Sequence, residues 1–257
     1  MLKKLSVLLF LSALYIWAAD FWTTKPFTDW NDKEITKMIT SSPWADKVTI
    51  AGGISGSALG NAETPGGGGR GGGRGGGGGG GGRGGGPQGD GANADPGVAG
   101  GGGGGDFGGG GGGGGVSVGI LWQTAMPVKQ ALIKRQYGAE AGTSPEAKAK
   151  LDRTEQVYVL TLVGMPGFTL SAAQGDRKAG LLDLTTLTAG GKPPLKPIDV
   201  QVSGGGRGAA NVSFLFPKTN PFTVDDKEVE FSTKFDKTPI KHKFKLKDMV
   251  FNGKVEM

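Results

Sequence analysis

Asp225, Asp226 and Glu228 follow one another closely after Pro221-Phe-Thr-Val, and their oxygens suit a hard cation. The spacing is not that of a helix–loop–helix calcium loop, and a solvated turn before a strand uses the same residues, so no metal site is expected. His242 is the single histidine and there is no cysteine. Thiolate nucleophiles, disulfides, zinc ribbons, iron–sulfur clusters and two-histidine metal centres are therefore excluded. No Gly-x-Ser-x-Gly elbow occurs, and one histidine leaves a catalytic triad a single candidate base. Gly204-Gly-Gly-Arg-Gly208 lies between two strand patterns with no helix behind it, which makes it a hairpin loop and not a phosphate cradle. Asn211-Val-Ser213 matches a glycosylation sequon but falls inside a strand pattern. No catalytic residue and no cofactor is expected. The competing expectation is a glycoside-type hydrolase outside the cytoplasm, because two carboxylates suffice for that chemistry.

Two groups of residues suit binding. Lys241, Lys243, Lys245 and Lys247 alternate along one strand pattern and form a basic comb. Lys241 and Lys243, with Lys234 and Lys237 beside them, are left without acidic partners and make a candidate anion patch. The structural reading of the comb is an edge strand guarded by lysine against mispairing. Trp22, Trp30 and Trp44 lie within one short segment and make a candidate aromatic surface. The reading preferred for them is packing, since so short a segment cannot bury three indoles by itself.

The elements that must position these groups fall into four segments. Residues 1–19 have a cationic start, Lys3-Lys4, and an apolar run from Leu5 to Ala19 that is short for a membrane span. That is the pattern of a cleaved secretory signal, and it predicts a periplasmic or extracellular protein with no transmembrane span once matured. Cleavage leaves a net charge of +4, from 27 basic and 23 acidic groups. Residues 66–115 hold 35 glycines in 50 positions. Ordering them would cost on the order of 50–100 kcal/mol with little apolar surface to bury in return, so a long disordered insertion is expected. Arg70, Arg74 and Arg83 are balanced there by Asp90, Asp95 and Asp106, which argues against nucleic-acid binding.

Residues 20–65 read as a small head. Asn31 and Glu34 form a capping box, and Trp30 with Ile35 a hydrophobic staple, opening a helix over 32–40 that Ser41-Ser42-Pro43 stops. A strand follows near 47–51. Residues 116–257 read as a β-rich main body on which the head packs. A strand at 116–122 has Val116, Val118, Ile120 and Trp122 on one face, and helices over 127–137 and 143–151 follow. Strands are predicted at 156–163, 181–188, 198–203, 210–216, 228–235, 240–247 and 249–255. The fold class expected is mainly β with an α+β margin, an antiparallel sandwich carrying two or three short helices. Within it, 228–235 pairs with 240–247 around a 236–239 loop, setting Phe231 opposite Phe244, Val229 opposite Leu246, Glu230 opposite Lys245 and Glu228 opposite Lys247.

The segments KPFTDWNDKEITKMITSSPWA, SVGILWQTAMPVKQAL and DDKEVEFSTKF with KFKLKDMVFNGKVEM resemble an uncharacterised family of exported bacterial proteins with a glycine-rich insertion. The resemblance implies no activity and transfers no site. The expectation is a non-enzymatic structural or binding module of the bacterial cell envelope, whose partner is an envelope component or an anionic polymer.

Overall fold

The computed structural model describes residues 20–51, 115–165, 175–204, 209–235 and 238–257. The proposed signal segment, all of the glycine-rich tract but Gly115, and Lys237 lie outside these residues. The fold is mainly antiparallel β. Strands β1 (Ala45–Ala51), β2 (Gly115–Trp122), β3 (Val157–Met165), β5 (Asp199–Gly204) and β6 (Ala210–Pro217) make a five-stranded sheet ordered β1-β2-β3-β6-β5. A second sheet has β7 (Glu228–Phe235) between β4 (Thr186–Ala189) and β8 (Thr238–Lys245). Alternation explains the layers. Ile120, Trp122, Leu160, Leu162, Phe214 and Phe216 point in from the first sheet, and Val229, Phe231, Phe235, Ile240 and Phe244 from the second. The sheets meet where Phe214 lies 5.5 Å from Phe231 and Trp122 lies 5.1 Å from Phe244. Each such side chain is worth about 1.5–3 kcal/mol when buried.

Five helices occur among the described residues, α1 (Phe21–Thr24), α2 (Asp32–Thr40), α3 (Met126–Tyr137), α4 (Pro145–Asp152) and α5 (Gly175–Leu184). The capping box of α2 is formed as expected, with Asn31 accepting from the Glu34 amide at 3.0 Å and Glu34 accepting from the Asn31 amide at 2.8 Å. At the other end of the helix, Ser42 donates its hydroxyl to the Met38 carbonyl at 2.6 Å. Pro127 occupies the first turn of α3, and Gly138, at φ 57°, ends it. Ser144 caps α4 through the Ala147 amide.

Three expectations are corrected. Residues 181–188 are not one strand: Leu181–Leu184 complete α5, and only Thr186–Ala189 are extended. Leu181 is buried on α5, which packs against β5 and β7 and so fills the gap between the two sheets. Residues 249–255 are also not one strand but a ribbon, β9 (Val250–Phe251) with β10 (Lys254–Val255), turned at Asn252-Gly253. Both turn residues have positive φ, 49° and 76°, which is why Asn-Gly stands there. The β7–β8 register differs by two residues, because the connection is two residues long and Phe235 faces Thr238. Phe231 therefore lies opposite His242, Val229 opposite Phe244, Glu230 opposite Lys243 and Glu228 opposite Lys245.

Candidate functional site

The tryptophans do not form an aromatic surface. Trp22, Trp30 and Trp44 are buried in the core that the two sheets share. Trp22 and Trp44 meet edge to face at 5.9 Å. The Trp30 indole donates to the Lys25 carbonyl at 3.1 Å, and the Trp44 indole to the Glu256 carbonyl at 2.8 Å, 212 residues away. In Trp30 and Trp44 the ring's apolar body fills space while its one donor is satisfied, the combination that suits an indole to a core. The packing expectation holds, and the exposed-platform alternative does not.

The lysines take the opposite course. Lys241, Lys243 and Lys245 are exposed on the outer face of β8, at the edge of the three-stranded sheet. Lys241 and Lys243 are not unmatched, because the shifted register brings Glu228 and Glu230 of β7 beside them. Lys243 lies 2.6 Å from Glu228 and 3.9 Å from Glu230, and Lys241 lies 3.9 Å from Glu230. The hydrogen bond to Glu228 pushes the Lys243 pKa up from its ordinary range. Lys234 is exposed on the same outer face, opposite Pro239. Lys247 lies in the turn after β8 and does not face Glu228.

The acidic turn is a structural device. Asp226 receives the Lys192 ammonium at 2.7 Å and the Thr223 amide at 2.7 Å. Burial works to raise its pKa, but the hydrogen bonds from Lys192 and Thr223 outweigh it and hold the carboxyl below its usual range. Glu228 is spent on Lys243. Among the described residues, no group of three His, Asp or Glu side chains stands ready for a metal ion. The sequon is equally committed, since Asn211 accepts from the Gly164 amide and Ser213 is buried against Thr161.

His242 points inward from β8, as its alternation with the lysines predicts, and lies 4.5 Å from Phe244 and 4.0 Å from Asp46 of β1. Burial pushes its pKa down, and the Asp46 carboxylate only partly opposes this, so the imidazole is favoured in its neutral form.

One cluster escaped the sequence reading. Tyr158 and Phe222 stack at 5.5 Å and 23°. Lys218 lies 4.9 Å from the Tyr158 ring and Lys192 lies 5.5 Å from that of Phe222. The Phe222 amide donates to the Tyr158 hydroxyl at 3.2 Å, and Lys218 donates to the Met257 carbonyl at 3.2 Å. Burial lowers the Lys218 pKa and raises that of Tyr158. These groups come from separate segments with no common spacing, so no local pattern announces them. They clamp the turn before β7 and the last residues of the chain onto β3. An open groove along α2 is lined by Asp32, Lys33, Thr36, Lys37, Thr40 and Ser41, all from that helix and the residue after it.

No family model matches the chain, and no curated protein or solved structure matches it at a significant level.

Proposed function

We propose that the chain is a non-enzymatic structural or binding module of the bacterial cell envelope, exported by residues 1–19 and acting in the periplasm or outside the cell. The observation that carries this reading is how the polar groups are distributed. One continuous apolar core joins both sheets and the N-terminal helices, while charged groups are engaged in pairs, exposed in Glu228–Lys243 and largely shielded in Asp226–Lys192, Lys129–Glu155 and Lys25–Glu34. Such a body offers rigid faces. Among the described residues no helix is long and apolar enough to cross a membrane. Ala51 and Gly115, the described residues on either side of 52–114, are cross-strand partners, so β1 and β2 pair directly.

The test is expression of the full chain in a bacterial host, followed by fractionation and N-terminal sequencing. A periplasmic or secreted product that starts near Asp20 and co-sediments with isolated envelope fragments is the expected result. A full-length cytoplasmic product overturns the reading. Release of reducing sugars from envelope glycans, abolished by an Asp→Asn or Glu→Gln change, replaces it with the hydrolase.

A further inference from the structure

The geometry points to the outer edge of β8 as a docking strip for a linear polymer bearing phosphate groups. This inference rests on the envelope-module reading and names a partner class for it. Lys241, Lys243 and Lys245 are alternate residues of one strand, so their side chains leave the same face at steps of about 6.8 Å. With Lys234 on the neighbouring strand, four ammonium groups share that outer face with two carboxylates, Glu228 and Glu230. Those carboxylates sit on the β7 side and hold Lys243 at the middle of the row. Lys245 has no ion pair among the described residues, and Lys241 has only a long one at 3.9 Å. On the far side of β7, β4 turns Thr186 and Thr188 to the same face, so positive charge falls away from the edge inward. A single row of cations matches a linear chain of anions, whereas a lipid surface would call for cations spread over a plane. Lysine suits phosphate as a point charge and needs no bidentate fork. An edge guarded only against mispairing would carry the same lysines without binding anything, so the experiment must separate the two.

The probe is long-chain inorganic polyphosphate added to the folded protein at low salt, read by titration and by lysine acetylation footprinting. On the unaltered chain, log K should fall against log salt with a slope of about −2, for three contacts at about 0.7 each. Lys241 and Lys245 should be protected from acetylation while Lys33 and Lys148, exposed on helices, are not. The triple change Lys234→Gln, Lys241→Gln, Lys245→Gln should weaken binding about tenfold or more, and the matching Lys→Arg triple should restore it. Uniform protection of all lysines, an unaffected Gln triple, or tighter binding to anionic lipid vesicles than to the polymer each overturns the proposal. Footprinting needs no variant, so a misfolded triple does not leave the question open. Failure here leaves export and envelope co-sedimentation untouched, and those are read separately.

Discussion

Two antiparallel hairpins hold the sandwich together, and their connections differ about thirtyfold in length: 63 residues between β1 and β2, two between β7 and β8. Both make a continuous register, seven pairs in the first and eight in the second. What differs is how the strands are brought together. The logarithmic closure term makes the long connection only about 3 kcal/mol more costly than the short one, so a long insertion is tolerable provided packing offsets it. At β1 the offset is visible. Trp44 just before the strand is buried and bonded to the Glu256 carbonyl, Ile50 near its end is buried, and α2 leads into it with its apolar face packed down. The β7–β8 hairpin closes across two residues and carries its own buried set, Val229, Phe231, Phe235, Ile240 and Phe244. The comparison teaches that large buried side chains hold both hairpins, and that only the long connection asks them to offset a larger closure cost.

The sharpest way to break the long hairpin is Trp44→Ala. Loss of a fully buried indole should cost about 3–5 kcal/mol in urea unfolding, with the Glu256 carbonyl left without its donor. Next in size is the connection itself. Replacing residues 52–114 with a two-residue Asn-Gly turn should stabilise the protein by about 3 kcal/mol, and a glycine-rich insert of similar length between Phe235 and Thr238 should cost about the same. Unchanged stability in both would show that closure entropy does not distinguish the hairpins.

A smaller effect is expected where the hairpins meet, at His242 and Asp46. Because the folded pKa of His242 is lowered, the unfolded chain binds its proton at higher pH than the native state does. Its contribution is present above the ordinary imidazole pKa and is lost as the pH falls through the lowered folded value. Unfolding midpoints measured at about pH 7.5 and about pH 5 should differ more for the unaltered protein than for His242→Gln. The smallest effect is reserved for the surface of the short hairpin. A double-mutant cycle on Lys243 and Glu228, whose side chains are about half exposed, should return a coupling of about 0.2–1 kcal/mol that fades with salt.

Much of this was legible residue by residue. The α2 capping box and the lysine–apolar alternation of β8 each depend on neighbours in the chain, and the structure holds both. The β7–β8 register lies two residues from the one its side-chain pairs suggest. With a period of two, a slip of one moves every side chain to the wrong face, whereas a slip of two preserves both the faces and the charge complementarity. Only the length of the turn separates the two registers. The same limit explains the lysine patch, since pairing Lys241 and Lys243 with Glu230 and Glu228 followed from that register. In α5, Leu181 and Leu182 look as much like a strand as a helix, and packing between β5 and β7 decided.

Local chemistry in the chain determined most of the strands and helices, which face of each is apolar, and that no cysteine-based or two-histidine chemistry is available. Those properties depend on residues a few positions apart. Tertiary structure alone decided that β1 closes onto β2 across the glycine-rich segment, that the three tryptophans serve the interior, and that Tyr158, Phe222, Lys192 and Lys218 gather into one clamp. Such outcomes depend on the free energy of burying surfaces from distant parts of the chain together, and no spacing along the sequence encodes that sum.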